Sequence, residues 1–235
     1  MVRRILLIAA SPATSSILGI PVGFWASELI HPWYEFTEVG YQTEIASPEG
    51  GRIQPDGLSD PRDASGYSAH DILSLGFLGS PQLAALLDNT RKLSDVDPTA
   101  YDAVLVCGGQ SPMFTFRGNT VLEGIVGNFY RAGKPTAALC HGVAALIDVK
   151  VDGRYLIADK TITGFANVEE DIADQIVGTR VMPWRIEDAA RERGANYIRA
   201  GAWKPLAVRD GNLITGQQQY SGAKTARLVI EALGA

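Results

Sequence analysis

A chain of 235 residues, 46% hydrophobic and 20% charged, carries enough apolar mass for a sizeable core and is not a disordered polymer. Its net charge of −5, with no basic run longer than Arg3-Arg4, excludes the clustered cationic face that a nucleic-acid binder sets against phosphates. The two cysteines, Cys107 and Cys140, are too few for a disulfide framework and point to a reducing cytoplasm, and no segment reaches the length of a membrane span.

The elements alternate along the chain. Arg3-Arg4 precedes an apolar run at 5–10, as in a signal peptide, but its six residues fall short of a secretory core of about 7–15. The run reads instead as a buried first strand. Residues 25–39 form an amphipathic helix stopped at Gly40, and 41–46 return as a strand. The stretch 50–67, rich in Gly, Pro, Asp and Ser, is a long loop or small cap. A helix is expected at 81–87, a buried strand at 103–107 ending on Gly108-Gly109, and a helix at 121–132 closed by Gly133. A strand at 136–139 runs directly into Cys140, with a helix starting near His141. Then come a short strand at 161–163 ending on Gly164 and helices near 168–175 and 186–193. Asp210-Gly211 between apolar residues 206–208 and 213–215 signals a hairpin, and 221–233 closes the chain as a helix.

Strand–helix alternation without repeats or linkers predicts one α/β domain over 1–235, with a mostly parallel sheet covered on both faces. In such folds the site lies at the carboxyl ends of the strands. That rule points to Ser11, Gly108-Gly109, Cys140-His141 and Gly164.

Cys140 carries the sharpest signal. A residue at a strand-to-helix junction is raised on a tight turn, a geometry like the nucleophile elbow of α/β hydrolases, although the G-x-S-x-G spelling is absent. A helix beginning there would aim its N-terminal dipole at the sulfur and favour thiolate over thiol. A lone cysteine usually just packs, but His141 beside it supplies a base and counter-ion, which favours a nucleophile. A carboxylate should orient that imidazole. Glu169, Glu170 and Asp171 are its candidate sources, and capping of their own helix is the competing use of all three. Gly108 and Gly109 let backbone N–H groups approach a reacting oxygen, whereas Cys107 reads as core. Glu28 lies among apolar helix residues; if buried it would hold its proton to a raised pH, and otherwise it is an ordinary exposed acid. His31 and His70 lack metal-ligand spacing, so no metal is expected.

Taken in order, the segments ELIHP at 28–32, ASPEGG at 46–51, VCGGQ at 106–110, ALCHG at 138–142, ITGFANVEE at 162–170 and DGNLITGQ at 210–217 resemble the DJ-1/PfpI superfamily, and within it the Hsp31-like glyoxalase III branch. The resemblance implies a flavodoxin-like three-layer sandwich with a small cap, usually a homodimer. It implies Cys140 as nucleophile, His141 as its partner, Glu170 as the third member and Glu28 as a buried acid touching the cysteine. Oxyanion donors are implied around Gly109 and Gln110. The activity implied is conversion of methylglyoxal to lactate without cofactor or glutathione, through a Cys140 hemithioacetal. Two stretches depart from the usual pattern of relatives: Gln110-Ser111-Pro112 where His-Gly is common, and 217–221 where Asn-Pro-Ala-Ser is common. Both are expected to border the pocket, and a substrate larger than or different from methylglyoxal follows. Two other readings are weighed against this one: a cysteine hydrolase or hydratase of an amide or isonitrile, and a chaperone or redox sensor that turns nothing over.

Overall fold

The computed structural model describes residues 2–234; Met1 and Ala235, at the ends of the expected 1–235 domain, lie outside them. Seven strands build the central sheet: β1 (Arg4–Ile8), β2 (Gln42–Ser47), β3 (Arg91–Lys92), β4 (Ala103–Val106), β5 (Thr136–Leu139), β6 (Ala207–Asp210) and β7 (Leu213–Gly216). Their spatial order is β6-β7-β5-β4-β1-β2-β3. Every pairing is parallel except β6 with β7, the hairpin expected at Asp210-Gly211.

The period of two along each strand sorts the core into two layers. Leu6, Ile8, Val104, Val106 and Ala138 face one side. Ile5, Leu7, Leu105, Ala137, Leu139 and Ile214 face the other. Helices α1 (Ala26–Glu38), α2 (Ile72–Gly79), α3 (Thr120–Arg131), α4 (Asn167–Val177), α5 (Ile186–Glu192) and α6 (Gly222–Ala232) flank the sheet. Leu29, Ile30 and Phe36 of α1 and Val229 of α6 cover one face. Leu122, Val126 and Phe129 of α3 and Ile186 of α5 cover the other, which makes the flavodoxin-like three-layer sandwich. With both faces covered, β1 and β4 read as continuous apolar runs.

Three local expectations need correction. No α-helix starts at His141: residues Cys140–Ala145 form a 3₁₀ turn, tied down between β4 and β5. The short strand at Thr161–Ile162 pairs with Asn196–Tyr197 in its own two-stranded sheet and not in the central one. The helix expected at 81–87 splits into one α turn, Pro81–Ala84, and a 3₁₀ turn, Ala85–Leu87.

Candidate active site

Strand β5 delivers Cys140 at the carboxyl edge of the sheet. The residue adopts φ +55°, a left-handed conformation that is strained for a side chain with a Cβ and marks a sharp elbow. Two glycines make room for the turn. A Cβ on Gly142 would lie 2.6 Å from the carbonyl oxygens of Val106 and Cys107, so only glycine lets the elbow press against the end of β4. A Cβ on Gly108 would lie 2.5 Å from Glu28 Oε2 and 2.8 Å from Cys140 Cβ. That one vacant position shows how closely Glu28, Gly108 and Cys140 crowd together.

His141 Nδ1 lies 3.9 Å from Cys140 Sγ, and His141 Nε2 lies 3.0 Å from Glu170 Oε1. All three residues are buried. The three consecutive acids at the start of α4 point in different directions, as successive helical residues must. Glu170 takes the imidazole. Glu169 accepts from the Ala166 and Trp203 N–H groups and from Gln217 Nε2, at 2.8, 3.1 and 2.8 Å. Asp171 turns outward to Arg185 at 2.7 Å. The structure thus brings Glu170, the acid the resemblance implies, to the imidazole, and separates a capping contact and a surface ion pair that residue pattern alone left open.

Glu28 is fully buried on the first turn of α1. Its Oε2 accepts the Gly108 N–H at 2.9 Å, while Oε1 has no conventional hydrogen-bond partner and the Cys140 thiol is its neighbour. Burial pushes the carboxyl up to about 8, so it carries its proton at neutral pH. Burial also raises the Cys140 thiol well above its ordinary range, with the nearby Glu28 carboxyl adding to the effect. The expectation of an α-helix aiming its dipole at the sulfur is corrected by the geometry. The turn after Cys140 is a short 3₁₀ segment, and the sulfur has His141 on one side and the Glu28 carboxyl as a further neighbour. Cys107 is core, as expected, and burial raises its thiol too.

The backbone donors also sort themselves. The Gly108 N–H is taken by Glu28, and the Gln110 N–H by Asp56 Oδ2 at 2.7 Å. That leaves the Gly109 N–H without a protein acceptor among the described residues. Asp56 has no sequence signal of its own, because Pro55-Asp56-Gly57 looks like any exposed turn. It is in fact buried, accepts from the Gly23 N–H at 2.7 Å as well, and is pushed up to about 7 by that burial.

Above the sulfur opens a cavity of about 300 Å³. Cys140, His141, Glu170, Gly109, Gln110 and Gln219 supply its polar wall; Trp25, Tyr67, Phe165, Trp203 and six aliphatic side chains, Leu58, Ala173, Ile176, Val177, Val181 and Met182, supply the rest. Phe165 lies against the His141 ring, centroids 4.3 Å apart, and packs edge-on to Trp203. Leu58 and Tyr67 come from the 50–67 segment, which is therefore a cap over the cavity. Both unusual stretches reach this wall, through Gln110 and Gln219. Glu28 does not line it and stands behind the sulfur. Ser11 and Gly164 are strand-end residues that do not line it either. Ser11 Oγ accepts the Glu49 N–H, and Gly164 packs against Ile186 and Val143. His31 is paired with Asp71 at 2.9 Å.

A strained cysteine at the carboxyl edge of a doubly covered, mostly parallel sheet places the molecule among flavodoxin-like α/β proteins. The chain belongs to the DJ-1/PfpI family, whose model matches residues 17–232. It is 31% identical to Glyoxalase 3 of Candida albicans, over 99% of this chain and 98% of that protein. It is 30% identical to the glutathione-independent glyoxalase HSP31 of Saccharomyces cerevisiae, over 92% of this chain and 91% of that one. Among solved structures, Rapid Encystment Protein 24 KDa of Francisella tularensis superposes with a TM-score of 0.89 at 31% identity, covering 99% of this chain and 100% of its own.

Proposed function

We propose that this chain is a glutathione-independent glyoxalase that isomerises a 2-oxoaldehyde to the thioester of a 2-hydroxy acid on Cys140 and hydrolyses it. The observation that carries the reading is the alignment of Glu28, Cys140 and His141: a buried carboxyl behind the sulfur and an imidazole on its cavity side. Similarity to two proteins named glyoxalases across nearly their whole lengths supports it.

Cys140 Sγ adds to the aldehyde carbon, and its proton passes through His141 to the aldehyde oxygen, giving a hemithioacetal. The neighbouring ketone oxygen accepts from the free Gly109 N–H. His141, held by Glu170, then takes the proton from the former aldehyde carbon and returns one to the former ketone carbon by way of an enediol, while the hydroxyl proton on the former aldehyde carbon passes to the former ketone oxygen. The product of that shift is the thioester, and no electron leaves the substrate. Water cleaves the thioester, and Glu28 supplies a proton to the departing sulfur. The redox change is internal, so neither nicotinamide nor glutathione takes part. A sensor, by contrast, works best with an acidic exposed thiol, the reverse of the buried, raised Cys140. The reading includes a single domain over 1–235 working as a cytoplasmic homodimer. Two unpaired cysteines and the exposed apolar Ile72 and Leu75 on α2 support that setting.

Purified protein given methylglyoxal without glutathione should form lactate, and Cys140→Ser should form none. A folded wild-type protein that forms no lactate from methylglyoxal or any other 2-oxoaldehyde removes the proposal.

A further inference from the structure

The cavity over Cys140 is far larger and less polar than a three-carbon substrate needs. A water molecule occupies about 30 Å³ of liquid, so the space holds roughly ten, most of which methylglyoxal would leave in place. Four aromatic rings, Trp25, Tyr67, Phe165 and Trp203, surround that space. They form two edge-on pairs, Trp25 with Tyr67 at 6.1 Å and Phe165 with Trp203 at 5.9 Å between centroids. Aromatic rings prefer such offset and edge-on neighbours, so the box is shaped for a further ring. No lysine or arginine lines it among the described residues, so an anionic tail would find no counter-ion there. The rim is apolar and wet: Ile176 is 80% exposed and Tyr67 46%. Exposed apolar surface beside a polar reaction centre is the mark of a ligand groove.

We infer that the preferred substrate is a neutral 2-oxoaldehyde whose ketone carbon bears an aromatic or similarly bulky apolar group. This rests on the glyoxalase reading and specifies its substrate. The dicarbonyl end reaches Cys140, His141 and the Gly109 N–H. The apolar group lies among the four rings, under the cap that contributes Leu58 and Tyr67. The chemistry is unchanged, because the hydrogen shift involves only the two carbonyl carbons. A phenyl-bearing 2-oxoaldehyde becomes a 2-hydroxy-2-phenyl acid, with atoms balanced by one water.

The test compares kcat/KM for phenylglyoxal and methylglyoxal with the wild-type protein, without glutathione, following the hydroxy acid formed. One methylene in an apolar pocket is worth about 10–200-fold, so phenylglyoxal should lead by at least about tenfold. Ala173→Trp, which fills the α4 wall of the cavity, should shrink that lead by raising KM for phenylglyoxal. Equal or faster handling of methylglyoxal overturns the inference and leaves the glyoxalase reading standing. Turnover of neither aldehyde by folded protein overturns both.

Discussion

The carboxylate of Asp56 receives the Gln110 N–H, and through its other oxygen the Gly23 N–H, each at 2.7 Å. One side chain thereby ties the cap segment to the loop before α1 and to the loop after β4. Gly109, which lines the cavity and whose N–H is the proposed oxyanion donor, is fixed by its neighbour's bond. Asp56→Ala leaves two buried donors unpaired and should cost about 2–6 kcal/mol of stability, at roughly 1–3 per orphaned group. It should also lower kcat, since the oxyanion donor is then free to wander. Denaturant unfolding and steady-state kinetics on the same sample check both. A full-rate, fully stable variant would show that the clamp is ornamental.

Glu28 titrates near 8 in the folded protein. Above that pH its ionised form faces the sulfur, opposes the thiolate leaving group and has no proton to give. Activity should therefore fall on the alkaline side with a midpoint near 8. Glu28→Gln should lower kcat by about 10²–10⁴-fold and erase that alkaline limb. A wild-type profile flat from pH 6 to 10 would contradict the assignment.

The same group makes a prediction about stability. Its folded value lies above the ordinary 4.5, so the folded chain binds the proton more tightly than the unfolded chain. This contribution is complete below about pH 4.5 and is lost as pH rises through about 8. Asp56, raised from 3.8 to about 7, acts in the same sense over a slightly lower window. Each amounts to a few kcal/mol, since every tenfold gain in proton affinity is worth about 1.4 kcal/mol. Urea midpoints measured from pH 5 to 9 should decline, and Glu28→Gln should decline less steeply.

The three acids of α4 should respond differently to loss of charge. Glu170→Gln removes the negative charge that pairs with His141 as it takes up a proton and should reduce kcat by about 10²–10⁴-fold while the fold survives. Asp171→Asn breaks only a surface pair, worth about 0–1 kcal/mol, and should leave kcat unchanged. Glu169→Ala strands the Ala166 and Trp203 N–H groups and should appear chiefly as lost stability. Kinetics and melting of the three side by side separate these roles.

The alternation of apolar strands and amphipathic helices was readable in the sequence because burial on two faces leaves an unbroken apolar signature at 5–8 and 103–106. The hairpin at 210–211 and the helix from residue 26 were readable for the same kind of local reason. Helix α2 was not: its sequence ILSLGFLG is apolar all round and holds two glycines, so no amphipathic period shows, and only the Asp71 cap on the Ser74 N–H marks it. In the site, Cys140 and His141 were visible from chain order, since a strand end is a local feature. The choice of Glu170 over its neighbours depends on how α4 is rotated against the elbow, and the burial of Asp56 depends on three segments meeting. Residue pattern alone shows neither; the family resemblance of 162–170 implied Glu170, and nothing marked Asp56. The helix expected from His141 is absent because packing against β4 admits only a 3₁₀ turn there.

The left-handed backbone at position 140 belongs to the scaffold and not to the sulfur. Any residue with a Cβ placed there inherits the same torsional load, and glycine alone escapes it. An inactive protein with glycine at this position should thus melt later than its alanine counterpart.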